Sequence, residues 1–261
     1  MAIKETVTSL SLGGRTALVT GGGTGIGKSI ALEFAKAGAN VAVSGRRPAP
    51  LMEVVKEIKD LGREAIAVPT DVSQKTEVEA LISQVNNELG EIDILVNNAA
   101  NGGSGPSLLD SDEDRWDEII DTNLKSVYLC CHAVGQTMIK RGTGNIINIS
   151  SIASLRASEG ARIYGIAKAG INFLTRGLAM DMAPHNVRVN CIAPGAVQTD
   201  MLAADVGDKP ENWEQLGGFI PLGRVGQPID IAATALFLAS DAANYVTAQI
   251  ITVDAGLTEK M

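Results

Sequence analysis

"TGGGTGIGKSIA", residues 20–31, follows the apolar run "TALV" (residues 16–19) and leads directly into helical spacing. Glycine lets a backbone approach an anion closely, and a helix N-terminus offers free N–H groups and a partial positive charge. The stretch reads either as a phosphate-binding turn or as a tight strand-to-helix turn with no ligand. Its glycines Gly21, Gly25 and Gly27 follow G-x-x-x-G-x-G spacing, which is not the G-x-G-x-x-G dinucleotide fingerprint. The rest of the chain has to decide which reading holds.

On both sides of this turn, short β-rich runs alternate with helical stretches. The strand candidates are residues 16–19, 41–44, 65–68, 92–97, 145–149, 187–192 and 250–253. They are brief and almost continuously apolar, as strands covered on both faces should be. Helical spacing recurs at Ile26, Ile30 and Phe34, with Gly38 beyond as a stop signal, and over residues 51–61, 78–89, 116–139, 164–182 and 229–238. Repeated strand–helix–strand order implies an α/β fold, a Rossmann-like doubly wound parallel sheet of about seven strands with helices on both faces. Nothing marks a second domain, so residues 1–261 are expected to form one. Residues 203–226, with "GDKP" and "GG", are too long for an ordinary connection and read as an irregular segment: a cover over a site, spanning about 200–226, or a passive insertion.

Composition narrows the function. The chain has 261 residues, 45% hydrophobic and 20% charged, with a formal net charge of −8. That balance suits a globular protein and argues against nucleic acid or an anionic membrane as partner. No apolar stretch reaches about 18 residues, and the N-terminus lacks a signal-peptide core. Cys130, Cys131 and Cys191 have neither paired nor metal-type spacing and read as reduced core residues of a cytoplasmic protein. His132 and His185 have no ligand partner at i+4, so no metal site is expected.

In a doubly wound sheet, ligands bind beyond the carboxyl ends of the strands. Gly21–Gly27, Gly45–Arg47, Asp71, Asn97, Ser151 and Pro194–Gly195 each fall just after a strand candidate. After the second strand the chain reads "VAVSGRR", with Arg46 and Arg47 where an NAD site would carry a carboxylate. A guanidinium matches a ribose 2′-phosphate, so NADP(H) is favoured over NAD(H), with Arg46 the main contact.

Tyr164 and Lys168, four residues apart, share one face of a helix. An ammonium beside a phenol favours the phenolate and is expected to bring its pKa of ~10 toward neutrality. Ser151, at a strand end, can bond the same oxygen.

These residues resemble the short-chain dehydrogenase/reductase family, of the single-domain type. The likeness runs over nearly the whole chain. It includes T-G-x-x-x-G-x-G from Thr20, N-N-A from Asn97, Ser151 thirteen residues before Tyr164-x-x-x-Lys168, and P-G-x-x-x-T from Pro194 to Thr199. The resemblance implies an oxidoreductase acting on a small-molecule ketone or secondary alcohol. Tyr164 would be the acid or base, Lys168 its pKa-lowering and ribose-binding partner, and Ser151 the orienting hydroxyl. Asn123 would hold a water in a proton relay, and Asn97 would fix the strand beside the cofactor. Asp71 with Val72 would meet the adenine edge. Gly21, Thr24, Gly25, Ile26, Gly27, Asn98, Ala99, Pro194, Gly195, Val197 and Thr199 would line the dinucleotide. Two departures stand out. Ala100 replaces the usual glycine after N-N-A, and Thr24 stands where many NADP-preferring relatives carry a basic residue.

A non-catalytic NADP-binding module would have lost Ser, Tyr or Lys, and a nucleotide-sugar epimerase would show other glycine spacing. The substrate stays open. Residues 102–106, 152–162, 196–197 and 203–226 are expected to form its pocket, mixing Leu155, Met201, Leu202 and Phe219 with Arg156, Glu159 and Arg162. A hydrophobic ketone, a sugar or sugar acid, and a 3-ketoacyl thioester all remain candidates. The helices carrying Asn123 and Tyr164 are apolar on more than one side, and the resemblance suggests that partner subunits cover them in a homotetramer.

Overall fold

Seven parallel strands form from the seven apolar runs: β1 (Thr16–Thr20), β2 (Asn40–Gly45), β3 (Ala65–Pro69), β4 (Ile94–Asn97), β5 (Gly144–Ile149), β6 (Val187–Pro194) and β7 (Ile250–Val253). The computed structural model describes residues 10–102, 104–157 and 160–260, so Gly103, Ser158 and Glu159 of the expected substrate pocket lie outside the described residues. The strands lie in the order β3-β2-β1-β4-β5-β6-β7. Strand order reverses between β1 and β4, and a crevice opens there at the carboxyl ends.

Between the strands run α1 (Gly25–Lys36), α2 (Pro48–Asp60), α3 (Lys75–Leu89), α4 (Glu113–Ile120), α5 (Ser126–Arg141), α6 (Arg162–Met182), α7 (Asp200–Val206), α8 (Pro210–Phe219), α9 (Pro228–Ala239) and α10 (Leu257–Lys260). Ile30, Phe34, Val54, Ile58, Ile231 and Leu238, from α1, α2 and α9, close one face of the sheet. Leu81, Val85, Val134, Met138, Ile171 and Met182, from α3, α5 and α6, close the other. Every β1 residue is buried, which explains the unbroken apolar run. Hydrogen bonds cross the sheet at depth: the Asn97 amide donates to Asn148 (2.9 Å), and the Asn148 amide donates to Thr175 (2.9 Å) on α6.

The helix expected over residues 116–139 forms, α4 running on into α5 through one wide helical turn of five residues at Asp121–Lys125. Two expectations are corrected. β4 starts at Ile94 rather than at 92, because the Asp93 carboxylate accepts from the Thr16 amide (2.9 Å) at the strand entrance. Residues 203–226 are not irregular. Thr199 caps α7 by accepting from the Leu202 amide (3.3 Å), and Pro210 opens α8, where its missing N–H costs nothing. Among the described residues no helix is long and apolar enough to cross a membrane.

Candidate active site

The opening glycine turn sits on β1 and feeds α1. Gly21 (φ 64) and Gly25 (φ 54) occupy left-handed backbone, open to glycine at no steric cost. A Cβ on Gly21 would stand 2.9 Å from the Ala99 Cα, and one on Gly27 would stand 2.2 Å from the Gly21 carbonyl oxygen. Asn98 staples the turn: its amide donates to the carbonyls of Thr20 (3.0 Å) and Gly21 (3.1 Å). The Thr20 hydroxyl in turn accepts from the backbone N–H groups of Asn98 and Ala99. Residues 22–29 also spell G-x-x-x-x-G-K-S, the P-loop pattern. Lys28, however, turns to Glu57 on α2 (2.8 Å) and does not line the cavity that the turn borders.

That cavity, about 710 Å³, runs along the carboxyl ends of β1, β4, β5 and β6. At one end lie Arg46, Arg47, Asp71 and Val72; Thr24, Gly25 and Ile26 bring the N-terminus of α1 to its middle. Asn98, Ala99, Pro194, Gly195, Val197 and Thr199 line it too. Arg46 reaches across to the Asn101 side-chain oxygen (3.3 Å), and Asp71 accepts from the Ser73 amide (3.0 Å) and hydroxyl (2.7 Å). A left-handed glycine cradle and a helix N-terminus in one trough fit a dinucleotide. Gly27 and Asn97 lie behind the wall. Gly27 packs against the turn, and Asn97 is buried in the network across the sheet.

At the other end, Ser151 follows β5, while Tyr164 and Lys168 come from the first turns of α6. Lys168 is 2% exposed; its Nζ donates to the Ile149 carbonyl (3.0 Å) and stands 5.3 Å from the centre of the Tyr164 ring. The expected drop in the tyrosine pKa is not what the ligand-free site gives. Burial pushes the phenol up to about 12, against a hydrogen bond to Ser151 that pulls it down, and the Asp205 carboxylate adds to the rise. Burial also brings the Lys168 ammonium down to about 8, only partly opposed by Cys191. Desolvation wins because Lys168 is buried and Tyr164 half-buried, with no carboxylate or ammonium paired to either among the described residues.

Asn123 occupies the wide turn between α4 and α5. It is fully buried, its amide donates to the Ile119 carbonyl (3.0 Å), and its own side-chain oxygen has no hydrogen-bond donor. A buried orphan oxygen of this kind fits a bound water, since leaving it bare costs about 1–3 kcal/mol. Of the expected substrate pocket, Ser104, Ala153, Ala161, Ala196, Val197, Met201 and Leu202 line the cavity; Leu155, Arg156, Arg162 and Phe219 do not. Arg162 opens α6 and borders a small separate cavity with Gly105, Arg115 and Tyr164, and Phe219 ends α8 in solvent, 62% exposed. Asp205, inside the expected 203–226 segment though not singled out in it, lines the cavity beside Met201, four residues earlier on the same face of α7. That spacing was its only local signal.

A sequence model of the family described as enoyl-(acyl carrier protein) reductase matches residues 21–258. The chain is 44% identical over 245 residues to a 3-oxoacyl-acyl-carrier-protein reductase of Chlamydia trachomatis, covering 93% of this chain and 97% of that one. The Staphylococcus aureus protein of the same name is 42% identical, with 93% and 98% covered. Among solved structures, one described as a short-chain alcohol dehydrogenase of Sinorhizobium meliloti superposes with a TM-score of 0.91 at 41% identity, covering 97% and 99% of the two chains. Another, described as an NAD(P)-dependent gluconate 5-dehydrogenase of Beutenbergia cavernae with NADP bound, gives 0.90 at 36% identity, covering 97% and 100%.

Proposed function

The chain belongs to the short-chain dehydrogenase/reductase family, and we propose that it is an NADP(H)-dependent oxidoreductase interconverting a ketone and a secondary alcohol. That it acts on CH–OH groups with NAD(P) follows from its family. One observation carries the finer reading: Ser151, Tyr164 and Lys168 meet at one end of a trough whose other end holds Arg46 and Arg47.

In this reading the nicotinamide, when bound, supplies or accepts the hydride. The chain does the rest. The Gly21–Gly25 cradle and the α1 N-terminus hold the phosphates, and Arg46 with Arg47 takes the 2′-phosphate. Ser151 orients the carbonyl oxygen, and the Tyr164 phenol gives it a proton in reduction and takes one back in oxidation. A phenol held protonated by burial is already the acid that reduction needs. The Lys168 ammonium, fixed by the Ile149 carbonyl, binds the ribose and eases ionisation of the phenol. Asn123 holds a water that passes protons toward Lys168.

Tyr164→Phe keeps the ring and removes the proton. The expected result is NADPH binding within about threefold of wild type, with ketone reduction down by 10²–10⁴-fold. Steady NADPH oxidation near the wild-type rate would remove Tyr164 from the chemistry.

Two further features belong to this reading. Tyr128 on α5 and Ile166, Phe173 and Met180 on α6 are exposed, which supports association through these helices, as in a homotetramer. Three buried free thiols support a cytoplasmic, reducing setting.

A further inference from the structure

The negative charge of this protein is not spread over its surface. Residues 101–121 contain seven carboxylates and one arginine, and residues 200–226 contain five carboxylates against Lys209 and Arg224. These two segments account for the whole excess, since the chain carries −8 and the remainder is close to neutral. Both segments border the cavity, the first through Asn101 and Ser104 and the second through Asp200, Met201, Leu202 and Asp205, so that the carboxylates on its lining come from the second.

Both arginines of these segments are engaged elsewhere. Arg115 pairs with Glu118 (2.7 Å) and donates to the carbonyls of Gly102 and Ser104, while Arg224 makes two bonds to Asp230 (2.7 and 2.9 Å). The basic side chains lining the cavity, among the described residues, are Arg46 and Arg47 at the far end and Lys168, bound to a backbone carbonyl. The trough is therefore polarised, positive where phosphates would lie and negative where the substrate would react. An anion entering beside Asp200 and Asp205 would lose water and face two carboxylates, while the nearest ammonium on the lining, Lys168, is already held by the Ile149 carbonyl. Asp205 lines the same cavity as the Tyr164 phenol, and its carboxylate adds to the upward push on that phenol.

Resting on the oxidoreductase reading, we infer that Asp205 and the acidic mouth select an uncharged or cationic ketone or alcohol taken free from solution. They turn away anionic substrates, including sugar acids and thioesters on phosphate-bearing carriers. This separates the chain from the activities its relatives' names describe. A like charge on the wall of a partly solvated site disfavours an anion by roughly five- to tenfold.

The test uses full-length protein with saturating NADPH and two matched pairs. One pair is ethyl acetoacetate and acetoacetyl-coenzyme A; the other is methyl 4-oxocyclohexanecarboxylate and its free acid. At about 20 mM salt, kcat/KM should favour the neutral member of each pair by at least about fivefold. Raising salt to about 500 mM should narrow that gap by threefold or more, because repulsion is screened. Asp205→Asn should raise the anion-to-neutral ratio of kcat/KM by about fivefold, and Asp205→Lys should raise it further. A preference for the anionic members that weakens as salt rises would overturn the inference, as would ratios insensitive to both Asp205 variants. Turnover of no member of either pair, with NADPH bound, would remove the oxidoreductase reading and this inference with it.

Discussion

Lys168 is an ammonium buried without a carboxylate. Its Nζ has a backbone carbonyl and a phenol ring for company, which explains why burial brings it down to about 8. In the unfolded chain a lysine holds its proton to about pH 10.4. Between these values the unfolded state binds more protons, so this group's contribution to stability grows as pH rises and is lost as pH falls through about 8. The buried thiols and the Tyr164 phenol, shifted upward, act in the opposite sense above about pH 9. The lysine is therefore best read by difference. Between pH 7.5 and 9.5, ligand-free wild type should gain about 2 kcal/mol relative to Lys168→Met in urea unfolding. A constant difference would mean that Lys168 keeps its proton throughout. Tyr164 and Lys168 were legible as a pair because four-residue spacing is a local property of a helix. The upward shift of the phenol was not, because it depends on the walls that chain segments far apart in sequence build around it.

At the scale of elements, the glycine turn works through contact as well as through conformation. Gly27 lies outside the cavity, yet its missing Cβ is what lets α1 press against the Gly21 carbonyl. Asn98 then ties that turn to β4 with two bonds from one amide. Asn98→Ala should cost about 2 kcal/mol of stability, since it leaves two partly buried carbonyls without their donor. Gly27→Ala should cost about 1–3 kcal/mol by overpacking and weaken NADPH binding more than tenfold, although the added methyl never meets the ligand. Calorimetry and NADPH fluorescence titration read both effects. Unchanged binding in Gly27→Ala would leave this glycine with no part in shaping the cradle. The strands were legible because a parallel sheet buried on both faces leaves continuous apolar runs. The helices α7 and α8 were not: "GDKP" and "GG" hid them, while the signals that make them, Thr199 as cap and Pro210 at the first turn, are single residues. The wide turn around Asn123 left no mark either, since its residues continue the helical spacing on both sides.

For the molecule as a whole, the two faces of the sheet are separate cores, and all three cysteines belong to one of them. Cys130, Cys131 and Cys191 pack with Leu81, Val134 and Ile171 on the α3–α5–α6 side, each no more than 2% exposed. Burial pushes the thiols of Cys130 and Cys191 up to about 12 and raises that of Cys131 as well, so none offers a thiolate while the protein is closed. Labelling by a thiol reagent must wait for that face to open, and its rate then measures the opening equilibrium of the layer. The dinucleotide cradle is built on β1 and α1, whose contacts lie largely on the opposite face. If both faces open together, NADPH at about a hundred times its Kd should slow labelling of all three cysteines by about a hundredfold, because a ligand bound only to the closed state stabilises it by mass action. Labelling that is slow in free protein but indifferent to NADPH would mean that the thiol-bearing face opens while the cradle stays intact, and the sheet would then couple its two cores only weakly. The Asn97–Asn148–Thr175 chain, which joins β4 and β5 to α6 through the sheet edge-on, argues for joint opening, since separating α6 would strand buried amides.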